Sequence, residues 1–180
     1  ADPGQRVAAD RGDECRRGRG GRSLTDDPAV AARGQALAAL ARREHTRREL
    51  ERKLTARGHD AAVVGATLDT LAVQRLQDDA RFVEVFVRSR IARGQGPVRI
   101  HQELRQRGIA DDAARAALAA AEVDWDALAG EVLARQFRRP AADTKARARQ
   151  QRFLEYRGFT SAQIRLALRT RDAGDTVDET

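Results

Sequence analysis

The chain has 180 residues, a formal net charge of +7 and a pI near 10.9. Its length suits one or two ordinary domains, and its abundant Ala, Leu, Arg, Glu and Gln favour helices over strands. No apolar stretch approaches the length of a membrane span and no secretory signal opens the chain, so we expect a soluble, cytoplasmic protein. Cys15 is the single cysteine, which excludes an intrachain disulfide and a thiolate-rich zinc site.

The two ends of the chain lack helical periodicity. Residues 1–26 contain the run RRGRGGR and scattered Asp, and we interpret them as a disordered extension. Residues 172–180, DAGDTVDET, are interpreted as a short, disordered acidic tail. The structured part of the chain is therefore expected between these segments.

An Arg-Gly pair returns three times, at Arg57-Gly58, Arg107-Gly108 and Arg157-Gly158, at equal intervals of 50 residues. A Leu lies three residues before each Arg and another lies ten residues after each Gly. A fixed period indicates one supersecondary unit whose copies complete each other's core. We therefore predict an all-α fold of three tandem three-helix repeats. Repeat 1 is predicted over 27–77, repeat 2 over 78–123 and repeat 3 over 124–171.

Helix start signals recur in the same order within each repeat. Each first helix follows an aspartate that serves as its N-cap. These caps are Asp27, Asp78 and Asp124, and the helices are predicted over 28–44, 79–93 and 125–138. The second helices are predicted to begin at Thr46 (with Glu49 as a capping box), at Gly96-Pro97 and near Asp143.

Each second helix is predicted to end at the Arg-Gly pair, because glycine tolerates the left-handed conformation that closes a helix. The third helices follow, with Asp60 as a cap, Asp111 in the first turn, and a capping box of Thr160 and Gln163. Ile109 and Phe159 staple the start of the last two. His59 occupies the same position in repeat 1, and we interpret it as a half-buried packing residue rather than a ligand or base.

Side chains typical of catalysis are scattered. His45, His59 and His101 lie in different helices or turns without a metal-ligand spacing, and Gly94-Gln95-Gly96 is an ordinary turn rather than a phosphate loop. The Asp78-Asp79 pair is explained by helix capping. We therefore predict that the chain is not an enzyme and needs no metal or other cofactor.

Positive charge is concentrated in repeat 3, where residues 135–171 hold eleven basic and two acidic side chains, a net charge of +9. Lys145, Arg149, Arg152 and Tyr156 follow the spacing i, i+4, i+7, i+11 and share one face of a predicted helix, with Arg147 between them. Such a stripe suits phosphates or an acidic surface, although a solvated helix face is the alternative. A second candidate set in repeat 2 is more diluted by acids: Arg88, Arg90, Arg99 and Arg105.

Segments of all three repeats resemble the bacterial RecX family, in that family's order: ARREHTRREL at 41–50 in repeat 1, LQDDARF at 76–82 and ELRQRGI at 103–109 in repeat 2, and FL at 153–154 with RGF at 157–159 in repeat 3. His59 departs from the pattern, which usually has an aromatic or aliphatic residue there. The resemblance implies an elongated, curved array of three helical repeats that regulates RecA. It implies binding to the RecA–DNA filament and inhibition of ATP hydrolysis, strand exchange and the co-protease role in the SOS response.

Two other functions stay open from the residues alone. A helical DNA-binding module would contact the phosphates of single- or double-stranded DNA through the same basic side chains. A generic helical adaptor would neither inhibit RecA nor bind DNA. In each case we expect a monomer without membrane contact.

Overall fold

The computed structural model describes residues 27–175, and these residues form nine α-helices and no strand. The helices are α1 (Pro28–Leu40), α2 (Arg47–Thr55), α3 (Ala61–Val73), α4 (Asp79–Ala92), α5 (Pro97–Gln106), α6 (Asp111–Ala120), α7 (Trp125–Gln136), α8 (Thr144–Arg157) and α9 (Ser161–Asp175). The predicted all-α class is confirmed. The predicted extension at 1–26 and residues 176–180 of the predicted tail lie outside the described residues. The prediction of a disordered tail is wrong for residues 172–175, which continue α9.

Helix capping follows the predicted pattern. The carboxylates of Asp27, Asp78 and Asp124 accept main-chain N–H groups at the starts of α1, α4 and α7. Helix α1 ends at Leu40, earlier than predicted, because the chain must turn before the buried cap Thr46. The Thr46 hydroxyl accepts from the Glu49 N–H, but the Glu49 carboxylate pairs with other side chains, so the predicted box is only half formed.

The three Arg-Gly glycines have the left-handed conformation that the repeat predicts. Gly58, Gly108 and Gly158 have φ of +87°, +89° and +87°. The Leu three residues before each Arg is fully buried. The second helices therefore end in the same way in all three repeats.

Each three-helix unit has its own apolar core. The helices pack mainly within α1–α3 (repeat 1), α4–α6 (repeat 2) and α7–α9 (repeat 3). One buried cluster lies inside each repeat, and Phe82 stacks on Phe86 in the second, with ring centroids 5.5 Å apart. The repeats are therefore separate small cores, and contacts between them are made by helix ends and polar side chains.

Candidate functional site

Junction 1, between repeats 1 and 2, is built largely from side chains. The Thr46 hydroxyl at the start of α2 donates to the Arg107 carbonyl at the end of α5, at 2.8 Å. The Asp79 carboxylate accepts from the Arg47 N–H at 2.8 Å, and Glu44 pairs with Arg81 at 2.6 Å. A hydroxyl group and two carboxylates therefore hold the first two repeats together.

Junction 2, between repeats 2 and 3, is built largely from the main chain. The Gly96 N–H donates to the Arg157 carbonyl at 2.8 Å, and the Val98 N–H donates to the Gly158 carbonyl at 3.0 Å. Arg99 lies directly against Gly158, and its guanidinium donates to the Tyr156 carbonyl at 3.0 Å. The start of α5 is thus fixed onto the end of α8.

Glu103 on α5 is the centre of an ion cluster between the two junctions. Its carboxylate lies 2.9 Å from Arg90, 3.0 Å from Arg99 and 3.7 Å from Arg107. Burial alone would raise the pKa of Glu103, but hydrogen bonds from Arg99 and Arg90 hold it below its usual value. The cluster reaches junction 1 through Arg107, which lies 3.5 Å from Glu49.

The predicted binding residues of repeat 2 all lie against carboxylates. Arg90 and Arg99 contact Glu103, and Arg90 also lies over the Phe86 ring at 4.3 Å. The remaining pairs are Arg88 with Glu84 and Arg105 with Asp111. Their positive charge is therefore compensated locally, which weakens the field they present to a partner.

The basic stripe of repeat 3 is different. Lys145, Arg149 and Arg152 are exposed on α8, and no carboxylate of residues 27–173 forms an ion pair with them. Arg149 lies over the Phe137 ring at 5.7 Å, which fixes its position without neutralising it. Arg147 is turned towards α9 and pairs with Asp172. The structure thus separates Arg147 from the predicted stripe.

Tyr156 ends the stripe at junction 2. Its side chain is 74% exposed, and the Arg99 guanidinium lies 5.0 Å from its ring centroid. One ring face is therefore already covered by a cation of repeat 2.

Sequence reasoning missed two further cations in the connection between α7 and α8. Arg138 and Arg139 are exposed and follow Phe137 directly. The Phe137 ring lies beneath Arg149, and Gln150 donates to the Arg139 carbonyl at 3.3 Å, so this connection packs beside the stripe. The FRRP sequence was the available signal, but a loop has no periodicity that assigns its side chains to a face.

Repeat 2 carries a separate apolar groove of about 940 Å³ between α4 and α6. Val83, Val87 and Ala117 line it, and the paired Glu84 and Arg88 lie on one wall. The groove is nearly neutral, in contrast to the exposed face of α8.

Two further properties concern the described residues alone. No group of three or more His, Cys, Asp and Glu side chains among residues 27–173 is arranged to hold a metal ion. None of the helices α1–α9 has the length and apolar character needed to cross a bilayer.

In comparisons with known proteins, each three-helix unit matches one family model. Family models for the first, second and third three-helix domains of RecX match residues 32–71, 78–118 and 122–168. A protein named Regulatory protein RecX from Halorhodospira halophila is 54% identical over 146 residues, which cover 81% of this chain and 91% of that protein. The protein of the same name from Chromohalobacter salexigens is 48% identical over 136 residues, covering 76% and 90%.

Solved structures agree on the fold. The crystal structure of RecX from Lactobacillus salivarius has a TM-score of 0.67 at 24% identity, over 82% of this chain and 98% of that one. A second crystal structure, of a regulatory protein RecX, has a TM-score of 0.69 at 26% identity, over 79% and 74% of the two chains.

Proposed function

The chain belongs to the RecX family, and from this premise we propose that it is a negative regulator of the RecA recombinase. It binds the RecA–DNA filament and inhibits ATP hydrolysis, strand exchange and the co-protease activity. The observation that carries the proposal is the match of all three RecX domains, in order, to the three helical repeats. Its setting is cytoplasmic DNA repair, recombination and the SOS response.

The repeat architecture supports a mechanism based on binding rather than catalysis. A filament presents the same surface at each protomer, and a tandem array can contact several protomers at once. Contacts made by linked modules reinforce one another, because after the first contact the next becomes intramolecular. Inhibition then results from holding the filament in one state, and the chain acts without a reaction of its own.

Repeat 3 is proposed as the principal contact surface. Lys145, Arg149 and Arg152 are exposed without a carboxylate partner among the described residues, and Arg138 and Arg139 lie in the adjoining connection. Unpaired cations attract phosphates or an acidic protein surface over a Debye length, whereas paired ones present little field. The exposed arginines of repeat 2, each against a carboxylate, contribute less.

A second candidate function is a DNA-binding module that acts through phosphate contacts without RecA. The unpaired cations of α8 and the exposed Tyr156 favour it, since a basic groove with an aromatic ring suits single-stranded DNA. The two functions differ in what they require. Only the first needs the recombinase.

The test is RecA ATPase on single-stranded DNA, with and without the chain, alongside DNA binding by the chain alone at two salt concentrations. A RecA regulator inhibits the ATPase at concentrations where its own DNA binding is weak. A DNA-binding module binds DNA tightly at low salt, loses affinity steeply as salt rises, and inhibits only where it covers the DNA. Normal ATPase activity with saturating folded chain would contradict the proposed function.

A further inference from the structure

Both junctions between repeats join the same two surfaces. One is the Arg-Gly end of a second helix, which we call the acceptor end. The other is the first turn of the second helix in the preceding repeat, which we call the donor end. The carbonyl of Arg107 accepts from Thr46, and the carbonyl of Arg157 accepts from Gly96, in each case from the residue that caps the donor helix. The chain therefore makes one type of interface twice.

The acceptor end of repeat 1 has no counterpart among the described residues. A Cβ placed on Gly108 would lie 2.8 Å from the Arg48 Cβ, and one on Gly158 would lie 2.6 Å from the Arg99 main-chain nitrogen. A Cβ placed on Gly58 meets no described atom within 4 Å, and Arg57 and Gly58 are both exposed. Gly58 nevertheless has the same left-handed conformation, with φ of +87°.

The donor end of repeat 3 is also exposed. Asp143 caps α8 through a bond from the Ala146 N–H, and Asp143, Thr144 and Lys145 are all exposed. Lys145 is the second residue after the cap, as Arg48 is after Thr46. Helix α8 has 14 residues and α5 has 10, so the donor end of repeat 3 lies farther from its own Arg-Gly pair than that of repeat 2 does.

We propose that this chain associates end to end, with the first turn of α8 in one copy docked on Arg57-Gly58 of the next. The Asp143 N–H donates to the Arg57 carbonyl and the Lys145 N–H donates to the Gly58 carbonyl, in the register that Gly96 and Val98 use within the chain. The Arg57 guanidinium donates to Gln35 of the same chain at 3.3 Å, and Arg57 and Gly58 are exposed. The occupant is thus a second copy, and the contact continues an interface already present twice.

This contact has a distinctive dependence on salt. Each chain carries a net charge of +7, so two chains repel at low ionic strength and separate chains are favoured. Added salt screens that repulsion over the ~8 Å Debye length of physiological salt. End-to-end association should therefore increase with salt, whereas contact with a polyanion decreases with it. A head-to-tail contact that does not close into a ring extends into a row of copies.

Cross-linking between two single-cysteine proteins tests the contact. Cys15 is first replaced by Ser, and Arg57→Cys and Thr144→Cys are then made separately and mixed with a short bis-maleimide. The 57–144 adduct should exceed the 57–57 and 144–144 adducts and should increase between low and high salt. The matched control is Arg115→Cys, whose parent side chain is 71% exposed on repeat 2. A 57–144 yield no greater than the 57–115 yield would overturn the proposal.

A blocking variant separates docking from folding. Asn tolerates positive φ better than most residues that carry a Cβ, and a Cβ at position 58 has open space within the chain. Gly58→Asn in the Arg57→Cys protein should therefore keep the melting temperature near its parent value. It should nevertheless reduce the 57–144 yield to that of the control, because the new side chain occupies the place of Ala146, which corresponds to Arg99 against Gly158. An unchanged yield in a folded Gly58→Asn protein would also overturn the proposal.

Discussion

Junction 1 and junction 2 join the same repeated surfaces by different chemistry. At junction 1 the Thr46 hydroxyl reaches the Arg107 carbonyl, and carboxylates of Glu44 and Asp79 add ionic contacts. At junction 2 two main-chain N–H groups reach two carbonyls directly. A repeat interface can therefore be kept while its bonding changes from side chain to main chain, and its sensitivity to pH changes with it.

The difference follows from the residue that caps the donor helix. Gly96 allows close approach, because a Cβ there would lie 2.5 Å from the Phe159 nitrogen. Thr46 cannot approach so closely, and its hydroxyl spans the gap while also accepting from the Glu49 N–H. One position thus sets the bonding of each junction.

The largest expected effect is at the acceptor end of junction 2. Gly158→Ala should destabilise the chain by about 3–4 kcal/mol, from left-handed strain of about 1–2 kcal/mol and two disturbed main-chain hydrogen bonds of about 1 kcal/mol each. Gly58→Ala should cost only the strain, since its Cβ meets no described atom within 4 Å. Urea unfolding measures both. Equal losses would show that the close approach at junction 2 contributes nothing.

Thr46→Val should have the next largest effect, about 2 kcal/mol. The change keeps the shape of a fully buried side chain but removes the cap on α2 and the bond to the Arg107 carbonyl. Thr55→Val, at an exposed site on the same helix, is the matched control and should stay within about 0.5 kcal/mol. If both variants unfold at the same urea concentration, the hydroxyl bridge does not hold junction 1.

As the pH is lowered, junction 1 should weaken at a higher pH than junction 2. Burial and the charges of Arg43 and Lys53 lower the pKa of His45 from its ordinary value of 6.5. The unfolded chain therefore binds a proton that the folded chain excludes, and stability falls as pH drops below 6.5. The Glu49 pKa is also lowered, because hydrogen bonds from Arg43 and His45 outweigh burial, and its contribution is lost at lower pH.

Thermal melts between pH 7 and pH 4 check this order. The fall in melting temperature just below pH 6.5 should be smaller in His45→Gln, because Gln keeps a polar side chain beside Glu49 but does not take up a proton. A His45→Gln protein with the same pH profile as its parent would assign the loss to other groups.

The smallest expected effect on stability is in the two linkers, one between repeats 1 and 2 and one between repeats 2 and 3, which share a backbone feature. Arg75 and Glu122 each have positive φ, 55° and 48°, shortly before the cap of the next repeat. Glycine relieves that strain but adds unfolded-chain entropy, so Arg75→Gly and Glu122→Gly should each stabilise by no more than about 1 kcal/mol. Differential scanning calorimetry of both variants shows whether each change raises or lowers the melting temperature. A clear loss in only one would show that the linkers are not equivalent.

The sequence predicted those features of the fold that repeat locally. The three glycines, the aspartate caps and the buried Leu before each Arg all follow from spacing and capping rules, and the structure confirms them. The Glu103 cluster could not be predicted in this way. Its partner Arg90 is on another helix, and only the packing of α4 against α5 brings the two side chains together.

The basic stripe of repeat 3 was predictable in part, because it also depends on local spacing along one helix. Helical spacing placed Lys145, Arg149 and Arg152 on one face, and all three are exposed. It could not show that the arginines of repeat 2 lie against carboxylates. It also gave no orientation for the loop residues Arg138 and Arg139.

The most direct test of the account compares two triple variants that remove the same charge. Lys145→Ala, Arg149→Ala and Arg152→Ala remove unpaired cations of repeat 3, while Arg88→Ala, Arg105→Ala and Arg115→Ala remove paired ones of repeat 2. Inhibition of RecA ATPase on single-stranded DNA is measured with helicity at two salt concentrations. We expect both variants to fold. The repeat 3 variant should lose most of its inhibition and of the salt dependence of that inhibition, whereas the repeat 2 variant should inhibit nearly as its parent does. A folded repeat 3 variant that inhibits like its parent would contradict the account.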